Sequence, residues 1–150
     1  MGHTYYNIAI HVIFSTKQRQ NLITPELRDR LYEYLCGVAR QEFGQVLGIG
    51  GTEDHLHGLI SLETDISLAK AMSKWKSLSS GWIHKQFAGS RGFAWQGGYG
   101  AFSVSRSQIT RVKKYIAGQE KHHRKKTFEQ EFVEFLERHE VDYDPATLWD

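Results

Sequence analysis

Two histidines separated by one residue are the clearest chemical feature of this 150-residue chain. His55 and His57 lie in an apolar run that predicts a β-strand over residues 55–62. In a strand, residues two apart point to the same face, so the two imidazoles stand side by side. Imidazoles placed in this way can share one metal ion. The alternative, which the pair alone leaves equally open, is two hydrogen-bonded histidines on a sheet.

A tyrosine and a glutamine four residues apart form a second chemical pair. Apolar spacing predicts a helix over residues 108–122, on which Tyr115 and Gln119 lie one turn apart. A glutamine oxygen with two imidazoles suits Mg²⁺ or Mn²⁺, and Mn²⁺ is the better match for imidazole. A phenol is a poor nucleophile near neutral pH, but a metal on a phosphodiester makes the phosphorus more open to its attack. Taken alone, Tyr115 is better explained as an amphipathic residue with a buried ring and a solvated hydroxyl.

The order of the predicted elements places both pairs in one domain. The elements are a strand over 5–15, a helix over 25–43, strands over 45–51 and 55–62, a helix capped by Asp65 and ending near Phe87, a strand over 101–105, and helices over 108–122 and 128–139. This order matches an α+β, ferredoxin-like split βαβ sandwich, with an antiparallel sheet and helices on one face, followed by the tyrosine helix and a C-terminal helix. The other sheet face is expected to be partly open, which would leave the histidine pair accessible to a substrate. No linker or repeat divides residues 1–150, so one domain is expected.

Three smaller features carry expectations about packing. The second helix is predicted to bury a stripe of Leu68, Met72, Trp75, Leu78 and Trp82. Residues 93–105 are rich in aromatic residues and glycine, which fits either a bulged edge strand or a close approach of the backbone to a ligand or another chain. Asp54, one residue before the histidine strand, is expected to face away from His55.

Charge and composition narrow the function classes only slightly. The formal net charge of +2 is mildly basic and does not by itself indicate nucleic acid. Basic residues cluster between positions 113 and 126, which indicates either a solvated helix face or a phosphate-facing patch. No apolar run is long enough to span a bilayer, and the N-terminal residues do not resemble a secretory signal. Cys36 is the only cysteine, so no intrachain disulfide can form and a reducing cytoplasm is the expected compartment.

Together these motifs resemble the single-tyrosine HUH transposases, the small enzymes of simple insertion sequences that include the REP-associated tyrosine transposases. Residues 55–57 (His-Leu-His) resemble the HUH motif, and residues 115–119 (Tyr-Ile-Ala-Gly-Gln) resemble the catalytic helix of that family. Residues 95–105 and 119–123 resemble it as well, as does the opening strand with residues 16–19. The resemblance covers about residues 5–139.

This resemblance implies a transposase that cleaves and rejoins single-stranded DNA near hairpins through a 5′-phosphotyrosine intermediate. It implies that Tyr115 is the nucleophile and that His55, His57 and Gln119 bind a divalent metal, Mg²⁺ or Mn²⁺. Members are commonly homodimers, and in many of them the tyrosine helix of one subunit completes the site of the other. The basic residues that would guide the DNA are Lys17, Arg19, Lys74, Lys76, Lys113, Lys114 and Lys121.

Two other functions remain compatible with the sequence. A domesticated module could bind hairpin DNA or regulate at hairpins without mobilising an element, although the intact Tyr115 argues against lost chemistry. A metal-dependent hydrolase could use the same histidines, but it would need an activated water, and no carboxylate-rich cluster lies near them in the sequence. Residue chemistry alone supports a metal site beside a phenol, and the DNA substrate follows from the resemblance.

Overall fold

The computed structural model describes residues 2–150, and a four-stranded antiparallel sheet forms its centre. The strands are β1 (Ala9–Ser15), β2 (Gly44–Gly51), β3 (His55–Leu62) and β4 (Gly100–Val104), in the spatial order β2-β3-β1-β4. The helices are α1 (Pro25–Glu42), α2 (Leu68–Gln86), α3 (Ile109–Ala117), α4 (Gln119–His122) and α5 (Phe128–Arg138). Across residues 2–150, no helix combines the length and the apolar character that a membrane span requires.

The predicted α+β, ferredoxin-like arrangement is confirmed. β1 lies between β3 and β4 and is antiparallel to both, while β2 and β3 form the expected hairpin. The first strand begins at Ala9 rather than at residue 5. Tyr5 and Tyr6 are 90% and 51% exposed and precede the paired part of the strand. Backbone pairing begins at Ala9, where β1 lies between β3 and β4.

Alternation along the strands divides the sheet into two faces, as the sequence predicted. On the first face, Phe14, Leu56 and Ile60 pack with α1 and α2 around the fully buried Trp75. The opposite alternation sends His55, His57 and Leu59 to the second face. The odd-numbered residues of β3 are therefore available for a site on that face.

The start and the stripe of α2 differ from the prediction. Ser67 caps the helix by accepting a hydrogen bond from the Lys70 backbone N–H at 3.1 Å, because residues 64–66 form a turn that leaves Asp65 too early in the chain. Leu78 is 40% exposed, whereas Ser79 is buried. At 3.6 residues per turn, the buried stripe continues from Trp75 to Ser79 rather than to Leu78.

The second face of the sheet is covered, so the expectation of a partly open face is wrong. Phe128 and Phe132 of α5 pack against Ile13 of β1, and α3 covers the neighbouring part of the sheet. Burying the apolar stripe of α5 removes apolar surface from water, which favours this closure. As a result, His55 and His57 are both 0% exposed.

Two glycines allow helices to reach the second face. A Cβ atom at Gly50 would lie 2.3 Å from the Ile116 carbonyl oxygen, and one at Gly100 would lie 2.5 Å from the Phe132 ring. A Cβ atom cannot approach other atoms this closely, so the positions of α3 and α5 depend on glycine at residues 50 and 100. At Gly100, the close approach suggested by the sequence is made by α5 of the same chain.

The contact at Gly50 predicts a position-specific cost in stability. Gly50→Ala is expected to lower the free energy of unfolding by about 2 kcal/mol, because the Ile116 carbonyl must move away from β2. The matched control is Gly81→Ala in α2, where a Cβ meets nothing within 4 Å. That control is expected to gain up to about 1 kcal/mol from helix propensity. Urea unfolding measures both variants, and equal stability of Gly50→Ala and the wild type would contradict the prediction.

Candidate active site

Three imidazoles and one carboxylate converge on the second face of the sheet. His55 and His57 come from β3, His123 directly follows α4, and Glu131 lies on α5. One ligand atom from each residue lies within 4.8 Å of the others. The Glu131 Oε1 atom is 2.8 Å from Nε2 of His57, 3.2 Å from Nε2 of His123 and 3.8 Å from Nε2 of His55. The chain thus brings four potential metal ligands to one point.

The outer nitrogens of His55 and His123 orient both rings. His55 Nδ1 lies 2.8 Å from Asp54 Oδ1, and His123 Nδ1 lies 2.7 Å from the Lys126 carbonyl oxygen. The Lys126 carbonyl oxygen can only accept a hydrogen bond. Burial would raise the pKa of the Asp54 carboxyl group, but its hydrogen bond with His55 outweighs burial and lowers that pKa, so Asp54 is ionised. Each Nδ1 therefore carries a hydrogen, and each Nε2 atom points into the cluster.

The contact of Asp54 with His55 corrects the expectation that this carboxylate faces away. Asp54 lies in the bend before β3, where strand alternation does not govern its direction. Thr52 supports the pair, because its hydroxyl lies 3.0 Å from both Asp54 Oδ1 and His55 Nδ1. Asp54 therefore acts as the partner that orients His55.

His57 is held from its outer side by a second buried histidine. His11 on β1 places its Nε2 atom 2.8 Å from His57 Nδ1, and it is only 2% exposed. Burial lowers the pKa of His57 to about 4 and that of His11 to about 3, so both rings are neutral near neutral pH. The sequence places His11 on this face, but its burial and its link to His57 emerge only from the fold.

A break in the tyrosine helix places Gln119 inside the cluster. The single helix predicted over 108–122 is instead divided, because Gly118 takes non-helical angles (φ −94°, ψ 18°) between α3 and α4. Gln119 is 1% exposed, and its Oε1 atom lies 3.0 Å from His55 Nε2 and 2.8 Å from His123 Nε2. The amide oxygen therefore faces two imidazole nitrogens.

The donor set fits a divalent metal. Gln119 Nε2 donates to Glu131 Oε2 at 3.2 Å, which turns the amide oxygen toward the imidazole Nε2 atoms. The amide oxygen, the carboxylate and the imidazole nitrogens thus converge, and these are atom types that a divalent metal binds once the imidazoles are deprotonated. His55, His57, His123, Gln119 and Glu131 could each supply one donor.

Tyr115 forms the neighbouring wall of the cluster within the same chain. Its ring centroid lies 5.9 Å from that of His57. Its hydroxyl donates to Glu131 Oε2 and lies 3.3 Å from His122 Nε2. Burial and the bond to the Glu131 carboxylate raise the pKa of Tyr115 above its ordinary value, so the phenol is neutral in this state.

Glu131 is the site residue that sequence reasoning missed. It is 1% exposed, and one oxygen faces the imidazoles while the other accepts from Tyr115 and Gln119. Burial alone would raise its pKa, but hydrogen bonds with His123 and His57 lower it overall, so the group is ionised. A usable signal was present, because Glu131 interrupts the apolar stripe of α5, where a charged residue is rarely buried without partners. The sequence offered only Glu53 and Asp54 as carboxylates near the histidines, and the fold adds Glu131.

Two of the predicted DNA-binding residues lie beside Tyr115. They belong to a cleft of about 460 Å³, which we call the lysine cleft, lined by Lys114, Tyr115, Gly118, Lys121, His122, Lys125 and Lys126. Lys113, the third candidate on α3, instead lies against Gly48 of β2, with its Cγ atom 3.5 Å from the Cβ position there. The hydroxyl-bearing side of the phenol thus adjoins a strongly basic surface.

The candidates on α2 lie on the opposite face of the sheet from Tyr115. Lys74 Nζ lies 2.8 Å from Glu42 Oε2. Lys76 donates to the Gln96 carbonyl oxygen at 3.0 Å, and burial lowers its pKa to about 8. Both lysines have partners on the first face, and the structure does not bring them to the site.

The loop after β1 reaches the other side of the cluster. Arg19 borders a second cleft of about 630 Å³, whose lining also includes His123. Its Nε atom lies 3.1 Å from Glu129, and its guanidinium lies 4.6 Å from the Trp149 ring centroid. Lys17 is exposed in the same loop. Arg19 therefore lies beside the cluster, in the same cleft as His123.

Comparisons with known proteins agree with this architecture. A family described as IS200-like transposase matches residues 4–119. A Deinococcus radiodurans R1 protein assigned as a transposase has a similar solved structure, with TM-score 0.63 and 22% identity over 77% of this chain and 94% of that one. The REP-associated tyrosine transposase solved with a REP hairpin gives TM-score 0.54 and 16% identity over 77% of this chain and 70% of that one. At these identities the two structures show a shared fold. No curated protein matches the chain.

The buried histidines predict a loss of stability in acid for the metal-free protein. Between pH 6.5 and 4, the unfolded chain binds protons that folded His11 and His57 do not bind, because their pKa values fall from 6.5 to about 3 and about 4. His123 opposes this trend, since contact with Glu131 outweighs burial and raises its pKa. Each of these two histidines is expected to remove about 2 kcal/mol of stability between about pH 7 and about pH 5, and the opposing contribution of His123 reduces their sum.

Urea unfolding in the presence of a chelator measures this pH dependence. His11→Asn is expected to flatten it, because that variant lacks one of the two groups. His3→Asn serves as the control, since His3 is exposed and touches none of the cluster. Stability that stays level or rises toward pH 5 would show that the histidines are not held neutral.

Proposed function

Since this chain belongs to the IS200-like transposase family, and so to a group of DNA-cleaving and strand-transferring enzymes, we propose that it cleaves and rejoins single-stranded DNA beside hairpins. The observation that carries the proposal is the position of Tyr115, whose ring lies 5.9 Å from that of His57 within one chain. The REP-associated tyrosine transposase was solved bound to a REP hairpin. That complex supports a hairpin substrate for this related chain.

His55, His57 and Gln119 are proposed to hold a divalent metal, Mg²⁺ or Mn²⁺. When bound, the ion would polarise the non-bridging oxygens of the target phosphate. Hydrogen bonds with Asp54 and His11 orient the imidazoles of His55 and His57 toward the centre of the cluster, where the ion would bind. Complete burial of both imidazoles also keeps competing water away.

Tyr115 is proposed to be the nucleophile of the cleavage step. Its oxygen forms a bond to phosphorus while the bond between phosphorus and the 3′ oxygen breaks. The phenol proton passes to Glu131 Oε2, which already accepts it in a hydrogen bond, and the leaving 3′ oxygen takes a proton from solvent. The products are a 5′-phosphotyrosine and a free 3′ hydroxyl. A 3′ hydroxyl that later attacks the phosphotyrosine rejoins DNA and restores the phenol.

The lysine cleft supports a path for the DNA backbone. Lys114, Lys121 and Lys125 are exposed there, and the cleft shares Tyr115 as part of its wall. Ammonium groups attract successive phosphates regardless of base sequence, so this surface would guide a strand toward the phenol. Arg19 and Lys17, in the loop after β1, are proposed to contact the strand beyond the cleavage point.

We propose that the site is complete within one chain. Tyr115 follows β4 through the short segment 105–108 and reaches the histidines of its own sheet. A homodimer, which the resemblance implies, would then place two such sites side by side, with or without exchange of helices. Residues 1–150 are proposed to act as one transposase domain in the cytoplasm.

A DNA-binding module without cleavage is the second candidate function. Tyr115 donates to Glu131 and is shielded by α5, so this state favours binding over attack. A module of this kind would recognise hairpins through the basic surface and leave them uncut. The assay below separates the two functions.

Labelled single-stranded hairpin DNA, incubated with protein and Mn²⁺ or Mg²⁺, is expected to give a covalent DNA–protein band on a denaturing gel. The band should disappear with a chelator and in Tyr115→Phe, because that variant lacks the attacking oxygen. Tyr34→Phe is the matched control, since Tyr34 stacks on Trp82 on the first face. Hairpin binding without an adduct under either metal would favour the binding module. Cleavage that survives Tyr115→Phe would favour a hydrolase.

Mixing two inactive variants tests whether the site is complete within one chain. Tyr115→Phe and His57→Ala are each expected to form no adduct, and their mixture should stay inactive because neither chain has both groups. Equal amounts of each are combined after partial unfolding and refolding, which allows any dimer to exchange subunits. An adduct on the His57→Ala chain, identified by a size tag, would instead show that Tyr115 works on a partner's histidines.

A further inference from the structure

We propose that His123 and Glu131 are additional metal ligands, which add a third imidazole and one carboxylate to His55, His57 and Gln119. This inference rests on the proposed function for the presence of a metal beside His55 and His57. It goes beyond the family match, because that match ends at residue 119 and includes neither added residue.

His123 has the geometry of a ligand. Its Nδ1–H donates to the Lys126 carbonyl oxygen at 2.7 Å, which directs Nε2 into the cluster. That Nε2 points at Gln119 Oε1 from 2.8 Å and at Glu131 Oε1 from 3.2 Å, the same atoms that His55 and His57 address. An imidazole with its outer nitrogen fixed and its inner nitrogen among other donors is the arrangement seen in metal-bound histidines.

Glu131 supplies the only charge that balances a cation within the cluster of described ligands. Its carboxylate is 1% exposed, and burying such a charge is costly unless it is paired. Oε1 faces the three imidazole nitrogens, while Oε2 faces Tyr115 and Gln119. One carboxylate therefore joins the imidazole cluster to the phenol oxygen.

This donor set discriminates among metals. Mg²⁺ prefers oxygen donors and retains several waters, whereas Mn²⁺ and other first-row transition ions accept imidazole nitrogen. Three imidazoles with a single carboxylate therefore select Mn²⁺ over Mg²⁺. The pair of histidines with Gln119 would not discriminate so strongly, because it offers one nitrogen fewer.

Metal binding by these residues would also tie three elements together. His55 and His57 belong to β3, His123 follows α4, and Glu131 belongs to α5. A ligand that binds only the folded state stabilises it by mass action. Mn²⁺ should therefore hold α5 against the sheet and raise the melting temperature.

The test is calorimetric titration of the chelator-treated protein with Mn²⁺ alone. The wild type is expected to bind one ion, and His123→Gln and Glu131→Gln should each weaken binding by about 100-fold. His84→Gln is the matched control, because His84 is an exposed histidine on α2 whose Nε2 atom lies 2.8 Å from the Phe93 carbonyl oxygen. That variant should bind within about twofold of the wild type, and Mg²⁺ at about 10 mM should not displace Mn²⁺.

A spectroscopic measurement on the wild type removes any dependence on how well the variants fold. Electron spin-echo spectroscopy of bound Mn²⁺ should detect three coordinated imidazole nitrogens, and only two in His123→Gln. Unchanged affinity in both ligand variants, or two nitrogens in the wild type, overturns this inference. Metal-dependent adduct formation in that case leaves the transposase proposal intact. Conversely, three nitrogens in a protein that never forms the adduct would support the ligand set and defeat the proposed function.

Discussion

The buried Glu131 carboxylate is the interaction on which the second face of the sheet depends. An ionised group with 1% exposure needs hydrogen-bond partners or opposite charge around it. His57, His123, Tyr115 and Gln119 surround it and come from three other parts of the chain. The packing of α5 on the sheet and the geometry of the site therefore depend on the same contacts.

That coupling is supported by aromatic contacts along the first half of α5. Near its start, Phe128 stacks on the His55 ring at 4.2 Å between centroids. Trp149, from the chain end, packs against Phe128 and Phe132 and receives the Arg19 guanidinium. Aromatic contacts of this kind add to the apolar burial and hold the helix over the imidazoles. The C-terminal residues thus help to define the environment of histidines more than seventy positions earlier.

The same closure shapes how a substrate can reach the phenol. The imidazoles are fully buried, while Tyr115 is only partly buried and borders the lysine cleft. The basic residues therefore lie at the surface beside the site, whereas the potential metal ligands lie inside it. This separation suits a polyanion whose backbone runs along the surface while one phosphate enters the interior.

Much of the fold and part of the site could be predicted from local sequence. Alternation in β3 sets His55 and His57 on one face whatever the rest of the chain does, because strand geometry has a period of two. The capping box at Thr127 and Gln130 and the cap at Thr24 likewise mark helix starts through contacts within one turn. The family resemblance was carried mainly by the short motifs at residues 55–57 and 115–119, and the match to residues 4–119 confirmed it.

Only the tertiary structure decided which distant groups meet those histidines. Glu131 lies 74 residues from His57, and no local rule relates their positions. The break at Gly118 and the closed second face also depend on how helices pack on the sheet, since each brings together groups from different elements. Local periodicity determines the direction of a side chain, whereas its partners are chosen by the packing that buries the most apolar surface while leaving no charge unpaired.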